Sequence, residues 1–261
     1  MLILLPPSEG KTAPTTGAPV DVESLSHPGL NEQRHTVLRE LARVSAQADA
    51  HELLGVGASL THEIERNRAL LSAPAAPSTN IYSGVLFEAL NLGAMSDEHL
   101  EIAAQHVRVV SALWGLVSPT DVIPAYRLSM GVKLGELGAL GALWRKVLDA
   151  ELAEMAQETV VIDCRSAAYA AAWKPAPSSS TEWVSVKVVR ELDGKRSVVS
   201  HNAKHTRGLL ARHMITRQGA MPTTAQGVLE AAREYAGFFE VSLLPGRANA
   251  FTLEVVVREE R

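Results

Sequence analysis

The sequence predicts a mixed α/β (α+β-like) fold, a single domain over residues 1–261 with one mixed sheet flanked by helices. Three observations predict it. Short, wholly apolar runs have the composition of strands buried on both faces. Segments with helical apolar spacing lie between them. No internal repeat appears, and the Pro-rich stretches are too short to act as domain linkers.

Taken in order, Leu2–Leu5 reads as a buried strand stopped by Pro6 and Pro7. Residues 12–30, rich in Pro, Gly, Ser and Thr, read as a surface loop. Asn31 is the expected cap of a helix to about Ala48, with Val37, Leu38, Leu41 and Val44 on its inner face. Gly55 and Gly57 break that pattern before a second helix to about Leu71. Ser96 or Asp97 should cap a helix to Gln105, and residues 107–113 and 159–163 read as buried strands. Residues 140–157 carry Leu140, Trp144, Leu148 and Leu152 at helical spacing, and Ser166 starts an alanine-rich helix. Two β-rich runs flank Asp193-Gly194, a strong hairpin signal. Residues 203–217 and 224–238 read as helices, and 239–244 with 251–257 as a terminal strand pair.

Composition bounds the function. The chain is 46% hydrophobic and 21% charged, which excludes global disorder. Its single cysteine excludes an intrachain disulfide framework and a Cys-cluster zinc site. The opening apolar run ends at Pro6, too early for a signal-peptide core, so a soluble, cytoplasmic protein without a membrane partner is expected. A net charge of −4 argues against a uniformly basic DNA-coating protein. The charge is unevenly placed, however. Residues 187–217 hold eight Lys and Arg against Glu191 and Asp193, a net +6 that leaves −10 for the remainder.

Several motifs are candidates for chemistry. Ser8-Glu9-Gly10-Lys11-Thr12 follows a strand as a phosphate-binding P-loop does, but Leu5 replaces the first glycine and Pro14 interrupts the following helix. Lys11 at a strand end still suits an anion, or a solvated turn. Gly55 and Gly57 suit either a hairpin that presents backbone N–H groups to a DNA phosphate or a plain interhelical turn. Arg127 sits in an uncharged stretch and needs a partner, for which Asp121 is near in sequence. Lys204, Arg207 and Arg212 follow a helix start, where dipole and cations together attract anions. His201 and His205 are four apart, but no acidic third ligand lies nearby, so no metal is expected. Cys164, beside Asp163 and Arg165, could be a low-pKa nucleophile; a lone cysteine near a strand is more often a packing residue.

The segments MLILLPPSEGKT, IYSGVLFEAL, SALWGLVSPTDVIPAYRLSMGVKL with Trp144 beyond it, VVIDCRSAAY and SHNAKHTRGLLAR occur in one order along the chain. Together they resemble the YaaA peroxide-stress protein family over nearly its whole length. The resemblance implies a basic cleft, a helix-hairpin-helix-like element, binding of double-stranded DNA with weak sequence preference, and a role in limiting damage linked to free intracellular iron. By motif match, Lys11, Arg127, Lys204 and Arg207 would line the cleft, and Gly55 and Gly57 would sit in the hairpin. The chain departs from the pattern at Asp163-Cys164-Arg165, where relatives often carry Asn-Leu-Ala, and in its longer SEGKT. An alternative is an enzyme acting on a nucleotide or nucleobase without a cofactor, with Asp163 as acid/base and Lys11 and Lys204 clamping the anion beside Arg127.

Overall fold

The structure, a computed structural model, describes residues 1–192, 195–198 and 200–258, with the side chains of Val198, Ser200 and His201 outside that description. The expected Asp193-Gly194 turn therefore lies outside the described residues. An eight-stranded mixed sheet runs through one α/β domain. Its strands are β1 (Leu2–Leu5), β2 (Val107–Ser111), β3 (Gly115–Val117), β4 (Val160–Asp163), β5 (Glu182–Leu192), β6 (Lys195–Val198), β7 (Glu240–Pro245) and β8 (Ala250–Arg258). In space the order is β7-β8-β5-β4-β1-β2-β3, with β6 paired to β5.

The centre is parallel. β1 runs parallel to β2 and β4, β4 to β5, and β5 to β8, while β3, β6 and β7 pair antiparallel with their neighbours. This arrangement explains why Leu2–Leu5 and Val160–Ile162 show no polar alternation: every one of these residues is buried. Trp114 and Trp144 are also fully buried, and Trp144 Nε1 donates to Ala112 O at 2.8 Å, so its polar edge is satisfied.

The helices used below are α1 (Asn31–Ser45), α2 (Ala50–Leu53), α3 (Thr61–Arg66), α4 (Val85–Leu90), α5 (Asp97–His106), α6 (Leu140–Met155), α7 (Ala167–Ala170), α8 (Ser200–Thr216) and α9 (Ala225–Arg233). Ser96 caps α5, its Oγ accepting from His99 N, as its position in sequence predicts. Asn31 corrects a boundary: it lies inside α1, after a short 3₁₀ turn over Pro28–Leu30. Its side chain instead accepts from Arg34 and donates to Glu23.

Arg34 is the notable core residue. Fully buried, it donates to Trp114 O, Leu116 O, Ser26 O and Asn31 Oδ1 at 2.7–3.0 Å. Four acceptors compensate its desolvation and tie α1 to the strand edge. Burial still holds its guanidinium down to about 10.

The strand order creates a crevice. From β1 the chain passes onward to β2 on one side, and from β4 it passes to β5 on the other. Loops leaving the carboxyl ends of β1 and β4 thus diverge, which is the geometry of a topological switch point, where open α/β sheets bind ligands.

Candidate functional site

A cavity of about 400 Å³ opens at this switch point. One wall is the loop after β1, Pro6 to Gly10; another is Cys164, Ser166 and Tyr169, after β4. Residues Ser83 to Phe87, at the start of α4, face Lys204 and Arg207 from α8.

Close packing places the α8 cations. A Cβ at Gly208 would stand 2.2 Å from Leu86 O and 2.8 Å from Ala89 Cβ, so only glycine lets α8 lie this near α4. Arg212, one turn further on, donates to Leu90 O and Asn91 O at 3.0 Å and closes the end of α4. Lys204 is exposed on the rim. Arg207 donates through Nη2 to Val186 O at 2.8 Å, while its buried Nε has no hydrogen-bond partner among the described residues. An unsatisfied buried donor of this kind costs about 1–3 kcal/mol.

The loop after β1 is pinned as well. Thr12 N donates to Ile81 O, Lys11 bridges to Tyr82, and Ser83 N donates to Ser8 Oγ. This folds Lys11 beneath the cavity wall. Its Nζ lies 4.1 Å from the Tyr126 ring centroid and 5.8 Å from that of Tyr82, and donates to Ser8 O (2.8 Å) and Glu9 O (3.4 Å). Burial pushes the Lys11 ammonium down to about 7; the Arg127 cation acts in the same sense, against the raising influence of Glu9 and Glu63. Tyr126 donates or accepts at Ser111 Oγ (2.7 Å) and Tyr82 Oη (3.2 Å), and burial pushes both phenols well up.

Arg127 corrects an expectation. Its partners are Glu63 of α3 (3.1 Å) and Glu9 of the β1 loop (3.2 Å), whereas Asp121 accepts from the backbone of Ser26 and Ser118. Asn67 holds the Arg127 backbone through two 2.8 Å hydrogen bonds. Arg127 therefore joins the cavity lip to the α2–α3 region.

That region contains the glycine pair. Gly55 has φ +62°, and the bonds Gly55 N to Glu52 O and Val56 N to His51 O close α2 in a Schellman turn. Gly57 is extended at φ −60°. The flanking helices are only four and six residues long, and neither glycine lines the cavity.

Asp163 sits just behind the cavity. It accepts twice from the Arg165 guanidinium (2.7 and 2.8 Å), once from Arg165 N (3.0 Å) and once from Trp183 Nε1 (3.0 Å), and both members of the ion pair are buried. Arg165 also donates to Trp173 O. The pair orients the β4–α7 loop. Burial pushes the adjacent Cys164 thiol up to about 12, despite the lowering influence of Arg207, so this cysteine is no thiolate nucleophile at neutral pH.

The +6 of residues 187–217 does not form one free basic face. Lys187 pairs with Glu254 (2.7 Å), Arg196 with Glu191 and Glu240 (3.2 and 2.5 Å), and Arg217 with Glu234 (2.7 Å). Three of these carboxylates come from outside the segment. Among the described residues, no three His, Cys, Asp or Glu side chains gather as a metal site. None of the described helices is long and apolar enough to cross a membrane.

Sequence reasoning thus singled out Lys204, Arg207 and Lys11, which the fold gathers in and beside the cavity, and Arg212 and Asp163, which it engages in structural bonds nearby. It missed Glu9, Tyr169 and the Ser83 to Phe87 wall. Ser83-Gly84, a turn dipeptide just before an apolar helical run, was the available signal.

Residues 1–236 match the family model described as "Peroxide stress protein YaaA". A UPF0246 protein of Streptomyces coelicolor is 42% identical over 261 residues, spanning 99% of both chains. One from Corynebacterium efficiens is 39% identical over 98% of this chain and 100% of its own, and one from Burkholderia mallei 29% over 82% and 85%. The segments that build the cavity all fall inside the matched range, and the chain belongs to the peroxide stress protein YaaA family.

Proposed function

We propose that this protein acts in the peroxide response by binding a nucleotide-sized anion in the switch-point cavity. The observation that carries the reading is the pair Lys204 and Arg207, one exposed on the rim and the other half-buried, both lining an enclosure of about 400 Å³. That volume suits one nucleotide unit and lies at the small end of ligand pockets. The phosphate would meet the cations of α8, and the base or sugar would lie against Phe87, Tyr169 and Pro7.

A second reading is the grip of double-stranded DNA by its phosphate backbone, without strong sequence preference. What favours it is the exposed position of Lys204 together with the Arg127 link from the cavity lip to the Gly55–Gly57 turn, which would supply a second phosphate contact. Calorimetric titration with a nucleoside monophosphate and with a short duplex separates the two. A duplex clamp gives affinity that falls steeply with salt, while one pocket-bound phosphate gives a shallow dependence. Absence of binding to both in dilute buffer would refute both.

A further inference from the structure

The cavity that holds the α8 cations also holds a carboxylate. Glu9, on the wall formed by the loop after β1, lines it together with Lys204 and Arg207. Glu9 does not neutralise those cations. Its Oε2 pairs with Arg127 at 3.2 Å, while Arg207 reaches away to Val186 O on β5. The Glu9 side chain stays 54% exposed, and an ionised carboxylate offers about four acceptor positions, so the contact with Arg127 leaves most of them open. Arg127 is shared with Glu63, and the three groups together carry a net −1. Lys11, behind the Ser8 and Glu9 carbonyls, is held down to about 7 by burial and offsets only part of that charge at pH 7. The cavity is thus bipolar: two cations come from α8, an acceptor-only group comes from the β1 loop, and Pro7, Phe87 and Tyr169 supply apolar lining.

We propose that Glu9 reads the base and makes the cavity selective for a guanine nucleotide. The inference rests on the anion reading, since it takes the phosphate to be held by Lys204 and Arg207. A ligand that satisfies both walls carries an anion at one end and adjacent N–H donors at the other. Guanine alone of the common bases presents two neighbouring donors, N1–H and the 2-amino group, which match the two oxygens of a carboxylate. Adenine and cytosine each set a ring-nitrogen lone pair beside their amino group, and uracil has one N–H between two carbonyl oxygens. With those bases the carboxylate faces a lone pair, and an acceptor left against an acceptor rejects the wrong ligand.

The test is calorimetric titration of the full chain with guanosine, inosine and adenosine monophosphates. The guanosine form should bind about tenfold or more tighter than the adenosine form, with the inosine form, which lacks the 2-amino donor, between them. Glu9→Gln, which exchanges one acceptor for a donor, should bring the guanosine and adenosine forms within about threefold of each other. A purely structural Glu9 would weaken both alike and keep their ratio, and that result would overturn its assignment. The wild-type series decides alone if the variant does not fold. A guanine-bearing single-stranded oligonucleotide identifies the source of the base: tighter binding than the mononucleotide assigns it to a strand, weaker binding to a free nucleotide. Equal affinities across the wild-type series, with Arg207→Ala weakening all three, overturn the guanine inference and leave the anion reading standing. Failure of all three to bind removes both.

Discussion

Gly208→Ala tests how the cavity is built. In an exposed helix interior this change stabilises a protein by about 1 kcal/mol through helix propensity. At Gly208 the new Cβ would sit 2.2 Å from Leu86 O and 2.8 Å from Ala89 Cβ. Ordinary contacts of this kind need about 3.3–4 Å, so α8 and α4 must part by about 1 Å. Since the obstacle is backbone, no rotamer change relieves it, and the cost falls at the upper end of the overpacking range, about 3 kcal/mol. The net expectation is a loss of about 2 kcal/mol, or a fall in Tm of about 4–8 °C. Urea unfolding followed by circular dichroism measures it directly. The same displacement moves Lys204 and Arg207, so ligand affinity should fall alongside stability. A neutral or more stable Gly208→Ala protein would refute the claim that this contact sets the cavity wall.

Other consequences are independent of that contact. Arg34→Met would leave Trp114 O, Leu116 O and Ser26 O without their buried donor, and should cost about 3–5 kcal/mol in chemical denaturation. Lys11 has a folded value near 7 against an ordinary one of 10.5, so the unfolded state binds more protons between these values and stability should rise with pH across that window. Lys11→Met should flatten this rise, as seen by comparing unfolding free energies of the two proteins at pH 7 and pH 10. Cys164, fully buried and protonated, should react with a thiol reagent at pH 8 only as fast as the protein opens, and at an ordinary thiol rate in denaturant.

Much of the element order was legible because each strand and helix carries its own local signal. Leu2–Leu5 and Val160–Ile162 are apolar for the reason that parallel central strands are buried on both faces, and Ser96 caps its helix through a bond three residues away. What depends on distant pairing was not legible. Asp121 was the neighbour of Arg127 in sequence, but the fold brings Glu63 and Glu9 to it across α3 and the β1 loop. The basic run at 187–217 looked like a face; instead the parallel register of β5 with β8 sets Lys187 beside Glu254, and Arg196 reaches Glu240 on β7. The cavity itself depends on β4 lying next to β1, a pairing that separates its two loops by more than 150 positions in sequence and leaves no local trace.

The central claim is that Lys204 and Arg207 make the switch-point cavity an anion site. Titrating a nucleoside monophosphate into the wild-type protein and into Arg207→Ala by calorimetry tests it most directly. The account predicts saturable one-to-one binding that Arg207→Ala weakens about tenfold or more, as expected for a charge-assisted bond of about 1.5–3 kcal/mol, with the fold intact. Binding unchanged in Arg207→Ala, or its absence from the wild-type protein, would contradict the account.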